Sequence, residues 1–112
     1  MIFKGISTSL KDGKTKLDGT VVLGGKFVCS KEWDALDGQV TCKELGYPNL
    51  IHVMEKEKND SDVTGFTDFS CKGNELNLSE CIHLENNQTC SHKLAAVECS
   101  TSKRGILYNL QY

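Results

Sequence analysis

The sequence has one proline and no long hydrophobic run among its 112 residues. Its longest apolar stretches, such as Val21-Val22-Leu23, fall far short of the roughly 20 residues that a membrane-spanning helix needs, so we expect no membrane span. With 38% hydrophobic and 25% charged residues, the composition also excludes disordered, collagen-like and coiled-coil chains. A chain of this length can bury a thin core, and we expect residues 1–112 to form a single domain.

A marked excess of charge of one sign is also lacking. Thirteen lysine and arginine residues stand against fifteen aspartates and glutamates, which gives a net charge of −2 at pH 7. The basic residues are scattered from Lys4 to Arg104 without a dense block, so we expect no nucleic acid partner.

Motifs of catalysis are missing as well. The chain has no G-x-S-x-G elbow, no H-E-x-x-H and no paired-carboxylate constellation. Ser91 and His92 are adjacent in sequence, but adjacency is not the geometry of a catalytic triad. We therefore expect no enzymatic activity and no cofactor.

Cysteine, by contrast, is abundant, and none of the six cysteines belongs to a C-x-x-C pair. Zinc ribbons and thioredoxin-type sites rely on that spacing, because it lets two thiolates of one turn reach the same metal or each other. A catalytic cysteine would need a partner base, and His52, His83 and His92 form no recognisable partner motif. Three disulfides are favoured instead, with 15 pairings open to six cysteines. The cysteines are Cys29, Cys42, Cys71, Cys81, Cys90 and Cys99.

Three N-glycosylation sequons begin at Asn59, Asn77 and Asn87. Together with the even number of cysteines, they favour an oxidising, glycosylating route of synthesis. We expect a secreted protein or an extracellular domain of a membrane protein. No apolar h-region or small-residue cleavage site follows residues 1–5, so we expect Met1 to be an expression start on a domain excised from a larger multidomain protein.

The first third of the chain predicts β-structure. Residues 6–10 favour a short strand, and residues 20–23 and 26–28 flank Gly24 and Gly25, which can both adopt the positive φ of a primed hairpin turn. A glycine-rich phosphate loop is disfavoured, because neither a lysine-serine or lysine-threonine pair nor a helix follows.

A short helix is predicted over residues 34–46. Asp34 or Asp37 caps its N-terminus, and Gly46 ends it, with Pro48 beyond. The predicted buried side would place one cysteine where a disulfide ties the helix to the sheet. That side consists of Leu36, Val40, Cys42 and Leu45.

Residues 49–64 carry the weakest pattern of the chain. The mixed-charge run over residues 55–62 predicts a solvated loop. A cation site at Asp60 and Asp62 is the alternative, although the regular ligand spacing of an EF-hand is missing.

The last third returns to β-structure. Residues 65–71 alternate as a strand does, with Phe66 and Phe69 in the core. We expect one helical turn within residues 74–81 and a strand over residues 95–99. The tail is expected to form an extra edge strand or a frayed linker stub over residues 101–112.

With this order of elements, the chain resembles a scavenger receptor cysteine-rich (SRCR) domain over roughly residues 6–100. The segments that carry the resemblance are GTVVL at 19–23, FVCSKEWD at 27–34, DGQVTCKELGY at 37–47 and CKGNELNLSEC at 71–81. They are similar to the family's G-x-V-x-V, V-C-x-x-x-W-D, D-A-x-V-x-C-x-x-L-G-[CFY] and C-x-G-x-E-x-x-L-x-x-C motifs. Six cysteines, and Tyr47 where other members have a further cysteine, resemble the group A subtype.

The resemblance implies a fold and one disulfide pairing. The fold is α+β, a small disulfide-stapled domain in which a curved antiparallel β-sheet cradles one short α-helix. The implied disulfides are Cys29–Cys90, Cys42–Cys99 and Cys71–Cys81.

The chain departs from the family at the positions of its metal site. Many members carry two aspartates directly after the first of these cysteines and an acidic residue between the last two, and these carboxylates bind Ca²⁺ or Mg²⁺. Here the first two positions are Ser30 and Lys31, and residues 90–99 have lost the acidic pair and are one residue short. Because a hard cation needs several oxygen ligands and a lysine repels it, we expect no metal site.

As to function, the resemblance implies an extracellular, non-catalytic recognition module of a scavenger or innate-immune receptor. The expected partner is an extracellular protein or an anionic polymer. Lys26, Lys31 and Lys93 are expected to converge near the Cys29–Cys90 bridge as a cationic patch. The alternative is that they are solubilising lysines, since lysines are mostly exposed.

A second function is also implied by the resemblance. SRCR modules occur beside catalytic domains, so the chain is alternatively an accessory module of a larger enzyme. That enzyme would be a serine protease of the complement factor I type or a lysyl-oxidase-type enzyme.

Overall fold

The computed structural model of the chain describes residues 6–58, 64–90 and 93–102. These residues form seven β-strands, one α-helix and one turn of 3-10 helix at Leu78–Glu80. Within this part of the chain, no helix is long and apolar enough to cross a lipid bilayer. In chain order the elements are β1 (Thr8–Lys11), β2 (Asp18–Leu23), β3 (Lys26–Val28), α1 (Ala35–Glu44), β4 (Asn49–Glu57), β5 (Thr64–Ser70), β6 (Ile82–Thr89) and β7 (Lys93–Ser100).

The strands form one sheet in the order β4-β7-β2-β3-β5-β6, with β1 paired to β2. The predicted α+β architecture, a sheet with one short helix, is confirmed. One pairing differs from the antiparallel sheet that was expected, because β3 and β5 run parallel. The chain between them contains α1 and β4, and a connection of that length lets β5 return in the direction of β3.

The parallel pair depends on a close approach of two backbones. Phe27 lies opposite Gly65, and Val28 lies opposite Phe66. A Cβ atom on Gly65 would lie 1.9 Å from the carbonyl oxygen of Phe27, far inside van der Waals contact. Only glycine therefore fits at this position without a shift of the β3 backbone.

The predicted hairpin is confirmed. β2 and β3 pair antiparallel, with Val22 opposite Phe27. Gly24 and Gly25 connect them with φ values of 60° and 85°, which a primed turn requires and a side chain would disfavour.

The predicted helix is also confirmed, within two residues at each end. Asp34 is the N-cap, and Asp37 is its capping-box partner: the Asp37 N–H donates to Asp34 Oδ1 at 3.1 Å, and the Asp34 N–H donates to Asp37 Oδ2 at 2.9 Å. Gly46 follows the helix with a φ of 94°.

Leu36 does not lie on the buried side of the helix as predicted; 48% of the residue is exposed. The helix instead turns Gly38 towards the sheet, where a Cβ atom would lie 2.6 Å from Val53. Val40, one turn beyond Leu36 along the same side, is fully buried, so the apolar side of the helix is covered only beyond its first turn.

The loop predicted over residues 55–62 is wrong in its first part, because β4 extends through Glu57. β4 pairs antiparallel with β7 along its length and forms one edge of the sheet. Val53 packs against the core, but the end of the strand is charged on both faces, with Glu55 and Glu57 on the side of Val53 and Lys56 on the other. These charges obscure the apolar pattern of a strand. Asp60 and Asp62 lie outside the described residues.

The later predictions agree with the structure where it describes them. β5 covers the strand expected over 65–71 and buries Phe66 and Phe69. The predicted helical turn is the 3-10 turn, and the last predicted strand is β7. The tail lies outside the described residues from 103 onward.

All six cysteines are paired. Cys29 bonds to Cys90, Cys42 to Cys99 and Cys71 to Cys81, the same pairs that the family resemblance implies. The first two close loops of 61 and 57 residues. In the chain-entropy model each of these long loops stabilises the fold by about 4 kcal/mol, which is large against a total stability of roughly 5–15 kcal/mol.

The Asp37 side chain joins the helix to a distant loop. It is fully buried and accepts a hydrogen bond from the backbone N–H of Cys71 at 3.0 Å, besides that from Asp34. Burial raises the pKa of the Asp37 carboxyl from 3.8 to about 6, against the lowering effect of these two hydrogen bonds.

This raised pKa predicts how stability changes with pH. The folded chain retains a proton on Asp37 that the unfolded chain releases, so the free energy of unfolding should fall as the pH rises from about 4 to about 6 and then level off. Asp37→Asn should be less stable throughout, because one amide cannot accept both N–H groups, but its stability should not fall across this interval.

Urea unfolding at pH 4, 5, 6 and 7 measures both effects. Asp12→Asn, in the exposed loop after β1, is the control and should keep the wild-type slope. A wild-type stability that rises through this interval, or a fall that persists in Asp37→Asn, contradicts the prediction.

Candidate functional site

The two faces of the sheet differ in what covers them. The helix packs on one face, together with the main core that contains Val21, Val28 and Val97. On the other face, which we call the outer face, a second and smaller cluster consists of Leu94 and the Cys29–Cys90 disulfide, with Phe27 half-buried against it. Among the residues that the structure describes, this face is stabilised by a disulfide and is not covered by a helix.

A hollow of about 150 Å³ lies on the outer face beside Phe27. Two pairs of opposed residues on neighbouring strands set its position, Lys11 with Thr20 and Lys56 with Leu94. Opposed residues of antiparallel strands point to the same face, so lysines of β1 and β4 meet on the outer face. The Phe27 hollow is lined by Asp12, Thr20, Phe27, Lys56, Glu57, Lys58 and Leu94.

Two ammonium groups lie over the ring of Phe27. Lys11 Nζ is 5.7 Å from the ring centroid, and Lys58 Nζ is 5.5 Å from it. A cation within about 6 Å of an aromatic ring is attracted by the negative charge on its face. The ring of Phe27 thus contacts two cations from distant positions of the sequence.

The three lysines that were predicted to form a cationic patch, Lys26, Lys31 and Lys93, do not line the Phe27 hollow. Lys26 forms an ion pair with Glu85 and lies over the ring of Phe66, which belongs to the main core. Because successive side chains of a strand point to opposite faces, Lys26 points away from the outer face to which its neighbour Phe27 belongs. The expected convergence of Lys26 with Lys31 and Lys93 is therefore not observed.

Lys31 and Lys93 come from adjacent stretches of backbone. The N–H of Ser30 donates to the carbonyl oxygen of Lys93 at 3.1 Å, and both lysines are exposed. Lys31 Nζ lies 3.7 Å from Asp68 Oδ2, so part of its charge is already compensated. Lys31 and Lys93 lie two and three residues, respectively, from a cysteine of the Cys29–Cys90 bridge.

Sequence reasoning missed Lys11, Lys56 and Lys58. The signal that could have found two of them is the alternation of Lys56, Glu57 and Lys58, which puts both lysines on one face of a strand. The prediction of a loop at these residues concealed it. Lys11 joins them only through the pairing of β1 with β2, which no local pattern reveals.

The positions of the family's metal site do not fit a cation in this chain. Ser30 Oγ donates a hydrogen bond to Glu55 at 2.9 Å, and the ammonium of Lys31 lies beside Asp68. A hydroxyl and an ammonium thus stand next to the two carboxylates, where a hard cation would need further oxygen anions.

A second group of possible ligands surrounds the Cys71–Cys81 disulfide. Glu75 lies close to both sulfur atoms, with all ligand atoms within 4.8 Å of one another. The sulfurs are bonded to each other, so they offer no thiolate to a metal. Hydrogen bonds from the backbone N–H groups of Lys72 and Gly73 lower the pKa of Glu75. The Glu75 carboxylate therefore stabilises the loop that follows Cys71.

The described histidines serve the fold. The His83 ring stacks on Phe69 at 4.7 Å, and its Nδ1 lies 2.6 Å from the carbonyl oxygen of Cys81. His52 Nε2 lies 3.1 Å from Glu98 Oε1 on the exposed surface of β4 and β7. His92 lies outside the described residues.

The three sequons fall in different surroundings. Asn77 precedes the 3-10 turn, is partly exposed, and donates from Nδ2 to Glu80 at 3.2 Å. Asn87 lies in β6, and its side chain is outside the described part of the structure. Asn59 lies outside the described residues altogether.

The arrangement around Ser30 and Lys31 predicts that two substitutions create a cation site. Ser30→Asp with Lys31→Asp would place two carboxylates beside Glu55 and Asp68, a set of oxygen ligands suited to Ca²⁺. We expect no calcium binding by the wild-type domain up to millimolar concentration. For the double variant we expect a dissociation constant of roughly 10⁻⁴–10⁻³ M, as in other extracellular modules.

Isothermal titration calorimetry with CaCl₂ measures this. Ser30→Asn with Lys31→Asn, which has the same shape without the added charge, is the control and should not bind. Equal calcium affinities of the wild-type domain and the double aspartate variant would contradict the prediction.

Comparison with known proteins finds several relatives of similar sequence. The egg peptide speract receptor of Strongylocentrotus purpuratus is 33% identical over 98 residues, which is 78% of this chain and 18% of that protein. Complement factor I of Mus musculus is 28% identical over 104 residues, 83% of this chain and 17% of that protein. The chain thus spans less than a fifth of either relative.

A solved structure shares the fold. The third SRCR domain of murine neurotrypsin superposes with a TM-score of 0.64 at 24% identity, over 85% of this chain and 96% of that one. The sequence profile described as the scavenger receptor cysteine-rich domain matches residues 11–100, which include all six cysteines. This chain belongs to the scavenger receptor cysteine-rich domain family.

Proposed function

We propose that the chain is a non-catalytic recognition module that binds an extracellular anionic partner, a polymer or a protein, through the outer face of its sheet. SRCR domains occur in scavenger receptors and in other extracellular proteins, and they are generally non-catalytic. The observation that carries the proposal is the meeting of Lys11, Lys56 and Lys58 around Phe27.

The charge distribution supports a local rather than a general attraction. The chain as a whole is slightly acidic, with a net charge of −2, so it would not attract anions from all sides. On the outer face the ammonium groups of Lys11 and Lys58 both lie within 6 Å of one ring centroid, and there an anion would meet more than one positive charge. Lys31 and Lys93, near the Cys29–Cys90 bridge, add positive charge beside this proposed surface, although Lys93 precedes the outer-face residue Leu94 in β7 and points to the opposite face of the sheet.

Retention on immobilised heparin tests the proposed function. We expect the refolded domain to be retained at low salt, and its elution to need less salt when lysines of the outer face are replaced. The variant Lys11→Ala with Lys56→Ala should elute earlier than the wild-type domain. Lys26→Ala should elute unchanged, because Lys26 faces Glu85.

A wild-type domain that passes through heparin and dextran sulfate columns at low salt, and that captures no extracellular protein, would contradict the proposed function. Mass spectrometry of the intact chain should first verify the three disulfides, since a misfolded domain exposes its lysines differently.

A second candidate is an accessory module of a larger enzyme. It is favoured by the similarity to complement factor I, of which this chain matches only 17%. In that case the outer face would bind the enzyme's substrate or a neighbouring domain. Sequencing of the parent transcript distinguishes the two candidates, because the reading frame would continue into a catalytic domain.

We also propose that the three sequons at Asn59, Asn77 and Asn87 carry glycans. Asn77 supports this, because its side chain is partly exposed at the start of the 3-10 turn. Expression in mammalian cells, followed by glycosidase release in ¹⁸O-water, should convert each occupied asparagine into a labelled aspartate that peptide mass spectrometry detects. Unlabelled Asn77 would contradict the proposal at that residue.

A further inference from the structure

We infer that two copies of this chain associate through the free edge of β6 and join their sheets across a two-fold axis. The interface, which we call the β6 edge, consists of residues 81–85 of each copy. The inference goes beyond the proposed anion binding and does not depend on it, because β6 lies at the opposite end of the strand order from β4, which carries Lys56.

The backbone of β6 has one side open. Among the described residues, β6 pairs with β5 alone, so that β6 is an edge of the sheet. The N–H and C=O groups on its other side have no partner strand, and such groups are a template for pairing with a further strand.

The side chains at this edge are apolar and exposed. The exposed fraction is 70% for Ile82 and 58% for Leu84. His83, between them, stacks on Phe69 of the main core, so the alternation of the strand turns Ile82 and Leu84 to the outer face. Two neighbouring apolar side chains beside an open strand edge would lose contact with water if a second strand were added.

The two edges of the sheet differ in their protection against association. Natural edge strands avoid pairing by means of charged side chains, lysine above all, or proline. β4 ends in such charges, at Glu55, Lys56 and Glu57. β6 contains no lysine, arginine or proline, and its one acidic residue, Glu85, forms an ion pair with Lys26. β6 is therefore the edge that is open to a further strand.

A second copy of β6 fits this edge because the segment is complementary to itself. Opposed residues of an antiparallel pair point to the same face. If the two-fold axis passes through His83, Ile82 of each copy lies opposite Leu84 of the other. All four apolar side chains then meet on the outer face, and both helices stay on the other face of the joined sheet.

The neighbouring registers are less favourable. An axis at Leu84 would place Ile82 opposite a polar residue, Asn86, and an axis at Glu85 would oppose two like charges. With the axis at His83, Glu85 lies opposite Cys81, so the two glutamates stay apart. The apolar side chains and the charges thus favour one register.

The β6 edge also favours a closed dimer over an open chain of subunits. Pairing of β6 with β4 of another copy would be head-to-tail and could continue without limit, whereas pairing of β6 with itself uses the edge up. The sequons at Asn77 and Asn87 lie outside the paired segment. Because a segment this short is far smaller than the roughly 20–30 residues a side of a standard interface, we expect a weak dimer.

Sedimentation equilibrium of the refolded, disulfide-verified chain, from micromolar to millimolar concentration and without any polyanion, tests the inference. We expect the mean mass to rise with concentration from that of a monomer towards that of a dimer. Leu84→Lys should weaken association at least about tenfold, because the dimer loses one apolar contact at each of two symmetric positions.

The matched control is Leu36→Lys, which makes the same change at a leucine of the helix that is 48% exposed. It should leave the dissociation constant within about twofold of the wild-type value, as substitution at an exposed site away from an interface implies. Circular dichroism should show the same fold in both variants, since neither leucine is buried.

Mixing two charge variants tests the register. Ile82→Lys and Leu84→Glu should each associate poorly alone, because each places a charge against an apolar side chain. In an equal mixture they should form a heterodimer, in which the two new charges of opposite sign oppose each other in one pair and the native Leu84 and Ile82 oppose each other in the second.

Several results would overturn the inference. These are a wild-type chain that is monomeric at millimolar concentration, a dimer that Leu84→Lys leaves intact, and a mixture of the two charge variants that associates no better than either alone. A mass that grows beyond the dimer without limit indicates head-to-tail pairing and overturns it as well. A monomeric chain that binds a different protein at Ile82 and Leu84 would show that the β6 edge has another partner.

Discussion

The fold depends first on the cross-link between α1 and β7. Cys42 lies in the buried face of the helix, Cys99 lies near the end of the last strand, and both are fully buried. β7 pairs with β4 on one side and β2 on the other, so the bond attaches the helix to an interior strand of the sheet rather than to an edge strand. A domain of this length buries little apolar surface, and a covalent tie at that point compensates for it.

Besides the disulfides, two carboxylates join the helix to distant segments of the chain. Asp37, near the start of the helix, accepts the N–H of Cys71, and Glu44, at its end, accepts the N–H groups of Thr8 and Leu78. Each joins the helix to a segment more than 30 residues away. Backbone donors that loops would otherwise leave unsatisfied in a crowded interior are thereby paired.

The sequence predicts the features of this domain that are encoded locally. Gly24 and Gly25 predict a primed turn because few other residues adopt its φ values, and Asp34 and Gly46 mark the helix ends by capping chemistry. β4 is not predicted, because this edge strand carries charged residues on both faces near its end and offers only part of an apolar pattern. The disulfide pairing follows from the family resemblance and not from spacing, which leaves all pairings open.

The candidate site lies almost entirely beyond local prediction. Lys11 and Lys58 approach one ring only because β1 pairs with β2, β2 with β7, and β7 with β4. Lys26 was a reasonable candidate by sequence distance from Cys29, but the alternation of a three-residue strand sends it to the opposite face. Because Lys11 and Lys58 are brought to the same ring by three strand pairings, no short segment of the sequence predicts their proximity to it.

The close approach at Gly65 divides the outer face into a part that is constrained and a part that is free to vary. Because no side chain fits between Gly65 and the Phe27 carbonyl, the backbone under the hollow is fixed by a residue that is not among those lining it. The lysines at the rim lie at or near strand ends, exposed at Lys11 and half-buried at Lys56 and Lys58, outside the apolar core, where substitution disturbs little packing. Such a surface can change its ligand by exchanging rim side chains over an unchanged floor.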